Sequence, residues 1–462
     1  MTDKPRRAAL ELLRVVREDD AYANLELPRI LHGYGLTGRD AGFATELAYG
    51  TLRMRGWYDA ILAHCIDRPL EKVEPVMLDI LRLGAHQILS MRVPDHAAVD
   101  SSCALARDQG AKSGAAARAG FVNAVLRKVA AHDDDGWEQV LRSDRADDDV
   151  EWLATRWSHP AWIVRALRSS LGDRADELSA LLQADDTAAR PSLVARPGRM
   201  DVGELRALPE VSAARWSPLG GTLMEGAPEL LSCIRDGRAG VQDEGSQLVA
   251  LALARAEVDD DSGLWLDMCA GPGGKAALLA GLAHGVGGHL VAVEQHPHRA
   301  ALVESSLDPG SGAVVVTGDA RHRPWGEELF DRVLVDAPCT GSGTWRRNPD
   351  ARIRTNARDL HELVLKQAMI LDDASELVRP GGRLVYATCS LLPEEDEMQV
   401  TAFLERHPDF TAVPVPGLFA GLLPGVAPAI LQSLGDSACM ALSPARHGSD
   451  GFFAAVMQRR PA

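Results

Sequence analysis

The sequence predicts a multidomain protein with an all-α N-terminal domain, a small α+β middle region and a C-terminal α/β domain built on a parallel sheet. The chain has 462 residues, which at about 150 residues per domain suggests about three domains. Apolar residues repeat with the helical period through the first 130 positions, whereas short apolar runs alternate with glycine-rich or helical stretches after Val241. These two patterns separate a helical part from an α/β part.

The N-terminal domain is predicted to span residues 1–132. One helical stripe has the spacing i, i+3, i+4, i+7 and consists of Ala9, Leu12, Leu13 and Val16. Basic side chains accompany the helices at Arg53, Arg55, Arg127 and Lys128. They could contact phosphates, but an ordinary solvated face explains them equally well.

A linker and a small middle region are predicted next. The stretch from His132 to Val150 is acidic and lacks a sustained apolar period, which indicates a linker. Residues 150–240 contain segments punctuated by proline and glycine, which indicate a small connecting α+β region. The sequence leaves the role of this region open.

The C-terminal domain is predicted to span residues 241–462. Its strands are the apolar runs LWLDMCA, HLVAVEQ, AVVVTGDA, RVLVDAP and GRLVYATCS. Their alternation with helical stretches indicates a parallel sheet with helices on both faces. The longest predicted helix, Asp359 to Val378, lies between the fourth and fifth strands.

Composition and charge exclude several classes of protein. With 46% hydrophobic and 25% charged residues, the chain is in the ordinary globular range. No secretory signal and no run of 18 uncharged apolar residues is present, so we expect a cytoplasmic protein without membrane association. Seven scattered cysteines without a CxxC pair indicate neither a disulfide framework nor a metal site.

The net charge of −16 argues against a uniformly basic nucleic-acid binder. Residues 1–130 are nearly neutral, so the acidity is concentrated downstream in aspartate runs that we interpret as solvated loops. Any RNA must therefore be bound by local basic patches.

A glycine-rich loop follows the first predicted strand. It reads DMCAGPGGK over residues 267–275 and leads into a helix, so a ligand would lie at the carboxyl end of the strand beside a helix N-terminus. Glu294 ends the second strand, 23 positions after Gly271, where a carboxylate could bind ribose hydroxyls. This spacing also occurs in nicotinamide-dinucleotide sites, but GPGGK departs from GxGxxG.

Two more acids and two cysteines end strands of the same sheet. Asp319 and Asp336 follow the third and fourth strands, and together with Glu294 they favour an adenosine-type ligand. Cys339 and Cys389 follow the fourth and fifth strands, so both thiols should reach the same rim.

Two thiols beside a methyl donor point to methylation of a pyrimidine. A thiolate that adds to carbon 6 of cytosine makes carbon 5 nucleophilic, and covalent catalysis then splits one hard step into two. Lys275 or a helix N-terminus would favour the thiolate, and Asp336 could hydrogen-bond the base. Residue chemistry alone leaves open which cysteine is the nucleophile.

Five ordered motifs resemble the Sun/Fmu-type RNA cytosine-5 methyltransferases. They are VQDEGSQ (241–247), DMCAGPGGK (267–275), VDAPCTGSGTWRRNPD (335–350), YATCSLLPEED (386–396) and DGFFAAVMQR (450–459). ELAYGTLR and FVNAVLRKV resemble the NusB-like domain fused to the RsmB-like 16S rRNA member of that family. The resemblance therefore covers nearly the whole chain.

The resemblance implies a Rossmann-like class I methyltransferase domain, S-adenosylmethionine as cofactor and RNA as partner. The RNA would be 16S rRNA or a small-subunit assembly intermediate, and the enzyme would be a monomer. Cys389 would be the nucleophile and Cys339 would assist product release, with Asp336 and Lys275 as the other catalytic residues. The implied cofactor-binding residues are Cys269, Ala270, Gly271, Pro272, Gly273, Gly274, Lys275, Glu294, Asp319 and Asp336.

Two positions depart from the family pattern, and three alternatives stay open. Gly271 stands where the family commonly has alanine, and Glu294 stands where aspartate is frequent. The alternatives are the same chemistry on tRNA or another RNA, a nicotinamide-dependent oxidoreductase, and a non-catalytic RNA-binding protein. The DAPC and TCS motifs favour the methyltransferase, since neither of the last two classes requires them.

Overall fold

Two compact units make up the chain, which we describe from a computed structural model. The structure describes residues 3–461 apart from residues 20, 92, 143–145, 147–148, 321–328 and 420–438. Unit 1 comprises Met1–Ala188 and Trp345–Thr355, and unit 2 comprises Ala189–Thr344 and Asn356–Ala462. In the described part of the chain, no helix has both the length and the apolar character required to cross a membrane.

Unit 1 is helical. Its helices are α1 (Lys4–Glu18), α2 (Ala23–Tyr34), α3 (Gly38–Arg53), α4 (Arg55–Cys65), α5 (Pro75–Leu89), α6 (Asp95–Asp108), α7 (Ala115–Val129), α8 (Asp134–Arg142), α9 (Val150–Arg156), α10 (Ala161–Leu171) and α11 (Leu178–Asp185). The Asp3 side chain caps the start of α1 by accepting from the Arg6 N–H. The predicted apolar stripe of α1 is buried in the core of the unit, which confirms the helical period.

Helix α8 occupies part of the predicted linker, so that prediction was wrong for residues 134–142. Trp137 is buried and its Nε1 donates to the Val129 carbonyl at 2.8 Å, and the partly buried Val140 and Leu141 pack against the same core. In the acidic run at its start Asp133 and Asp135 are exposed, whereas Asp134 accepts from Arg156 at 2.8 Å. These three apolar residues span little more than one turn, which is why no sustained apolar period marked this helix in the sequence.

The predicted middle region is divided between the units. Helices α9 to α11 belong to unit 1, where Trp152 is part of the apolar core. The later residues form an antiparallel sheet in unit 2, with the order β2-β3-β1-β4. Its strands are β1 (Ser192–Ala195), β2 (Val211–Ala213), β3 (Gly220–Leu223) and β4 (Ala239–Val241). Val194 and Trp216 share the apolar core of the α/β strands, so burial assigns this half to unit 2.

The large sheet of unit 2 has the order β10-β12-β9-β8-β5-β6-β7, with β11 also paired to β12. Its strands are β5 (Leu264–Asp267), β6 (His289–Glu294), β7 (Val314–Thr317), β8 (Phe330–Asp336), β9 (Val378–Thr388), β10 (Phe410–Val413), β11 (Cys439–Ala441) and β12 (Phe453–Arg459). Strands β5 to β9 are mutually parallel, which confirms the five predicted strands. Strands β10 to β12 add an antiparallel edge.

Helices surround this sheet and the smaller one. They are α12 (Val202–Arg206), α13 (Ser232–Arg235), α14 (Glu244–Arg255), α15 (Gly274–Gly285), α16 (Pro297–Ser306), α18 (Ala357–Ser375), α19 (Glu397–Arg406), α20 (Val415–Leu418) and α21 (Pro444–His447), while α17 (Pro349–Arg354) belongs to unit 1. The longest predicted helix corresponds to α18, which starts earlier because Asn356 and Asp359 form a capping box.

The strand order reverses beside β5. The chain passes from β5 to β6 and β7 on one side, then crosses to β8 and β9 on the other side. Loops therefore diverge between the carboxyl ends of β5 and β8. Such a switch point is where ligands bind in open α/β sheets.

Candidate active site

A cavity of about 610 Å³ opens at the carboxyl ends of the parallel strands. It is lined by many of the residues that the sequence predicted, namely Cys269, Gly271, Pro272, Lys275, Glu294, Asp319, Asp336, Cys339 and Cys389. Residues from five separate strand ends and loops thus meet at one rim. Ala270, Gly273 and Gly274 were predicted with them but do not line the cavity.

Ala270, Gly273 and Gly274 shape the backbone of the glycine-rich loop. Ala270 is buried, and its N–H donates to the Val293 carbonyl at 2.9 Å, which joins the loop to β6. Gly273 has φ 114° and caps helix α15, of which Gly274 is the first residue. A Cβ on Gly273 would lie 2.9 Å from the Cα of Val303, so only glycine fits there.

Gly271 and Glu294 are matched in size. The Glu294 side chain is buried, its Oε1 accepts from the His296 N–H at 2.9 Å, and its Oε2 lies 3.4 Å from Arg299 Nε. A Cβ on Gly271 would lie 2.1 Å from that Oε2 atom. The longer acid therefore occupies the space that an alanine would need, so the two departures from the family pattern belong together.

Arg299 holds this arrangement and was not predicted. Its Nη2 donates to the Gly271 carbonyl at 2.6 Å while its Nε faces Glu294. One guanidinium thus fixes both the loop and the acid at the end of β6. The residue stands on α16, outside any recognised motif, and only the fold brings it to the cavity.

Lys275 and Asp336 form an ion pair inside the cavity. Lys275 Nζ lies 2.8 Å from Asp336 Oδ2 and 4.8 Å from the centre of the Phe452 ring. Burial alone would lower the pKa of Lys275, but the charge and hydrogen bond of Asp336, together with the charge of Cys389, raise it. Lys275 therefore stays protonated and supplies a positive charge near Cys389.

The two thiols face each other. Cys339 Sγ lies 3.5 Å from Cys389 Sγ. This follows from the register of β8 and β9, in which Asp336 pairs with Ala387. The hydrogen bond with Cys389 and burial raise the pKa of Cys339. Cys339 thus keeps its proton and can donate it toward Cys389.

Asp267 is a further buried acid, which the sequence reasoning did not single out and which lies beside the cavity-lining residues Met268 and Cys269 without lining the cavity itself. It ends β5, directly before the glycine-rich loop, and is fully buried. Burial, and then the charge of Asp336, raises its pKa to about 7. Its position as the first residue of the DMCAGPGGK motif was the signal that could have identified it.

Known proteins resemble this chain over nearly its whole length. Residues 250–458 match the family described as 16S rRNA methyltransferase RsmB/F, and residues 3–131 match the NusB family. A putative methyltransferase of Mycobacterium tuberculosis is 45% identical and aligns over 99% of this chain and 97% of its own length. A probable ribosomal RNA small subunit methyltransferase B of Bacillus subtilis is 32% identical over 98% of both chains. The chain belongs to the RsmB/F family of RNA methyltransferases.

Solved structures share the fold. The crystal structure of PH0851 superimposes with a TM-score of 0.77 at 24% identity and covers 99% of this chain and 98% of that one. NSun6 from Pyrococcus horikoshii, solved with SFG, has a TM-score of 0.52 at 16% identity and covers 66% of this chain and 99% of that one. The predicted NusB-like helical domain and α/β methyltransferase domain are confirmed.

As an RsmB/F methyltransferase, the protein uses S-adenosylmethionine, as the sequence predicted, and the cavity fits this molecule. Carboxylates at the ends of β6 and β7 can accept from ribose hydroxyls, and Met369 and Ile370 offer an apolar wall. The Glu294 carboxylate occupies the position that a Cβ on residue 271 would need. Among the described residues no cluster of three or more His, Cys, Asp or Glu could hold a metal ion.

Proposed function

We propose that this protein transfers a methyl group from S-adenosylmethionine to carbon 5 of a cytosine in RNA through a covalent bond to Cys389. The observation that carries the proposal is the pair of thiols 3.5 Å apart at the rim of the cavity that contains the glycine-rich loop. An O- or N-methyltransferase needs no such pair. Methylation at carbon 5 of cytosine uses one thiol to activate the ring, and a second can assist its release.

The donor would be held by the glycine-rich loop and the strand-end acids. Glu294 and Asp319 are placed to accept from the ribose hydroxyls, since both line the cavity at neighbouring strand ends. Lys275 and Asp336 form an ion pair that lines the same cavity, and the charge of Lys275 interacts with Cys389. When bound, S-adenosylmethionine supplies an electrophilic methyl group.

Cys389 would begin the reaction. Its sulfur adds to carbon 6 of the base, and the ring electrons shift to carbon 5, which takes the methyl group. The Asp336 carboxylate accepts a hydrogen bond from the exocyclic amine of the base and orients it, and the protonated Lys275, which is bound to Asp336, supplies the positive charge that stabilises the negative charge developing on the ring. The hydrogen on carbon 5 then leaves as a proton to a water molecule, its bonding electrons form the carbon 5–carbon 6 double bond again, and the electrons of the carbon 6–sulfur bond return to the Cys389 sulfur.

Two features favour Cys389 over Cys339 as the nucleophile. The pKa of Cys339 is raised by its hydrogen bond with Cys389 and by burial, so Cys339 is suited to remain a thiol. The positive charge of Lys275 interacts with Cys389, and a neighbouring cation favours a thiolate. This matches the roles that the family resemblance implies for the TCS and Pro-Cys cysteines.

Paired cysteine variants test the assignment. Cys389→Ala should abolish methyl transfer without forming an adduct, whereas Cys339→Ala should accumulate an RNA–protein adduct that survives denaturing gels. Cys439→Ala, which changes a cysteine on β11, is the matched control and should behave as the wild type. An adduct formed by the Cys389 variant would reverse the two roles.

The substrate we propose is 16S rRNA. This rests on the family described as 16S rRNA methyltransferase RsmB/F and on the names of full-length relatives such as that of Bacillus subtilis. The NusB-like domain would contribute local RNA contacts. Bisulfite sequencing of total RNA from a deletion strain should reveal one 16S rRNA cytosine that loses its methyl group. Loss at a tRNA position instead would support the alternative substrate.

A further inference from the structure

A buried carboxylate binds the residues that follow the two cysteines. Glu395 is fully buried and accepts four hydrogen bonds. The donors are the Thr340 N–H at 2.8 Å, the Thr340 hydroxyl at 2.5 Å, the Ser390 hydroxyl at 2.6 Å and Gln367 Nε2 at 3.0 Å. A carboxylate with this many partners is strongly fixed in place, because each bond to a charged group is stronger than a neutral one.

The partners of Glu395 are the residues that directly follow the thiols. Thr340 follows Cys339 at the end of β8, and Ser390 follows Cys389 at the end of β9. One carboxylate therefore connects the two loops that carry the sulfur atoms. Each loop is attached at a position one residue away from its thiol.

Further hydrogen bonds join the same two loops. The Gly343 N–H donates to the Cys389 carbonyl at 2.9 Å, and the Ser342 and Ser390 hydroxyls lie 3.1 Å apart. Gln367 on α18 donates both to Glu395 and to the Pro338 carbonyl, the latter at 2.9 Å. The network thus fixes the loops relative to each other and to a helix.

The residue before Cys389, at the end of β9, is also hydrogen-bonded to a buried acid. The Thr388 hydroxyl, on the residue before Cys389, donates to the Asp396 carboxyl. The Tyr386 hydroxyl donates to the backbone carbonyl of Glu395 at 2.6 Å. Residues on both sides of Cys389 are therefore bound to the consecutive acids Glu395 and Asp396.

We propose that Glu395 is a positioning residue that sets the spacing of the Cys339 and Cys389 thiols. Its consequence for catalysis depends on the function proposed above, because both sulfurs must then act on one nucleotide. In the glutamine variant the side chain is neutral, and its NH2 group cannot accept from the Thr340 and Ser390 hydroxyls, which would have to rotate and accept from it instead. The bonds to both loops would lose the charge that strengthens them, and the 3.5 Å separation of the sulfurs would be held less tightly.

Capture by phenylarsine oxide measures the spacing without RNA or S-adenosylmethionine. The arsenic(III) centre forms two As–S bonds with a close pair of thiols and releases water. In the wild type, mass spectrometry should show one phenylarsenic group bridging the two cysteines, and Cys339→Ala or Cys389→Ala should prevent stable capture.

The variants for this test come in matched pairs. Glu395→Gln should slow capture about tenfold, because neutral hydrogen bonds replace charge-assisted ones. Glu397→Gln makes the same change at an exposed position two residues later and should capture at the wild-type rate. Thr340→Val, which removes one hydroxyl donor, should also be slow, while Thr340→Ser keeps the donor and should restore fast capture.

Capture by Glu395→Gln at the wild-type rate would overturn the proposal. If that variant does not fold, the Thr340→Val and Thr340→Ser pair decides, and equal rates for the two would overturn it. Failure of this proposal can be told apart from failure of the proposed function. Glu395-dependent capture by a protein that forms no RNA adduct as Cys339→Ala would reject cytosine methylation and leave the positioning role intact.

Discussion

Replacing Gly271 by alanine should weaken binding of S-adenosylmethionine through a clash with Glu294. The backbone of Gly271 is not in the left-handed region, so alanine can adopt it without strain. The added Cβ would instead lie 2.1 Å from Glu294 Oε2 and 2.8 Å from Arg299 Nε. Glu294 is buried and bound on both sides, so the carboxylate has to leave its position for the methyl group to fit.

The magnitude follows from what the displaced carboxylate would lose. A hydrogen bond to a charged group contributes about 1.5–3 kcal/mol. Loss of one effective bond to a ribose hydroxyl would therefore raise the Kd for S-adenosylmethionine roughly 10- to 150-fold. Loss of both bonds would be larger.

Isothermal titration calorimetry with S-adenosylmethionine measures this change directly. Gly285→Ala is the matched control, because a Cβ there meets no atom within 4 Å. The double variant Gly271→Ala/Glu294→Asp provides the stricter comparison, since the shorter acid withdraws from the new methyl group. We expect it to bind more tightly than Gly271→Ala alone.

Two results would refute this reasoning. If the Kd of Gly271→Ala for S-adenosylmethionine stays within threefold of the wild-type value, the added Cβ does not displace the Glu294 carboxylate in a way that weakens binding. Additive losses in the double variant would mean that the two positions are independent, because coupled neighbours give non-additive free energies.

Two further predictions follow from the ion pair and from a buried histidine. Lys275→Met keeps the side-chain length and removes the charge beside Asp336, so the single-turnover rate of methyl transfer at saturating donor should fall roughly 100-fold; a loss confined to donor affinity would contradict it. Burial lowers the pKa of His447 to about 4 from 6.5, and its Nδ1 accepts from the Ser443 N–H at 2.9 Å. The stability that neutral His447 contributes is therefore complete above pH 6.5 and is lost as the pH falls toward 4. His447→Asn keeps an acceptor that does not titrate, so its free energy of unfolding in urea should fall less steeply over this range, by up to about 1.4 kcal/mol per pH unit. Parallel slopes would show that His447 binds protons equally in the folded and unfolded states.

Local patterns in the sequence predicted much of the fold. The helical stripe of α1 and the apolar runs of β5 to β9 have periods that depend only on which faces are buried, so they could be identified without contacts. Helix α8 was missed because its apolar residues, from Trp137 to Leu141, span little more than one turn. The antiparallel strand β12 was noted only as a motif, since nothing local states which strand it pairs with.

The sequence by itself determined which chemistry is available at the site. Strand-end acids, a glycine-rich loop and two cysteines after neighbouring strands were sufficient to predict a shared rim, because parallel strands place their carboxyl ends together. The family motifs then supplied the roles that we propose for Cys339 and Cys389. All of this information is contained in short segments.

Only the tertiary structure decided how these groups are coupled. Three contacts join residues from separate elements. The two thiols lie 3.5 Å apart, Glu294 occupies the position that a Cβ on residue 271 would need, and both cysteine loops donate hydrogen bonds to Glu395. Arg299 reaches the cavity from a helix that carries no motif. Such contacts depend on strand register and helix packing. Both involve the whole domain, so the sequence of any one segment cannot predict them.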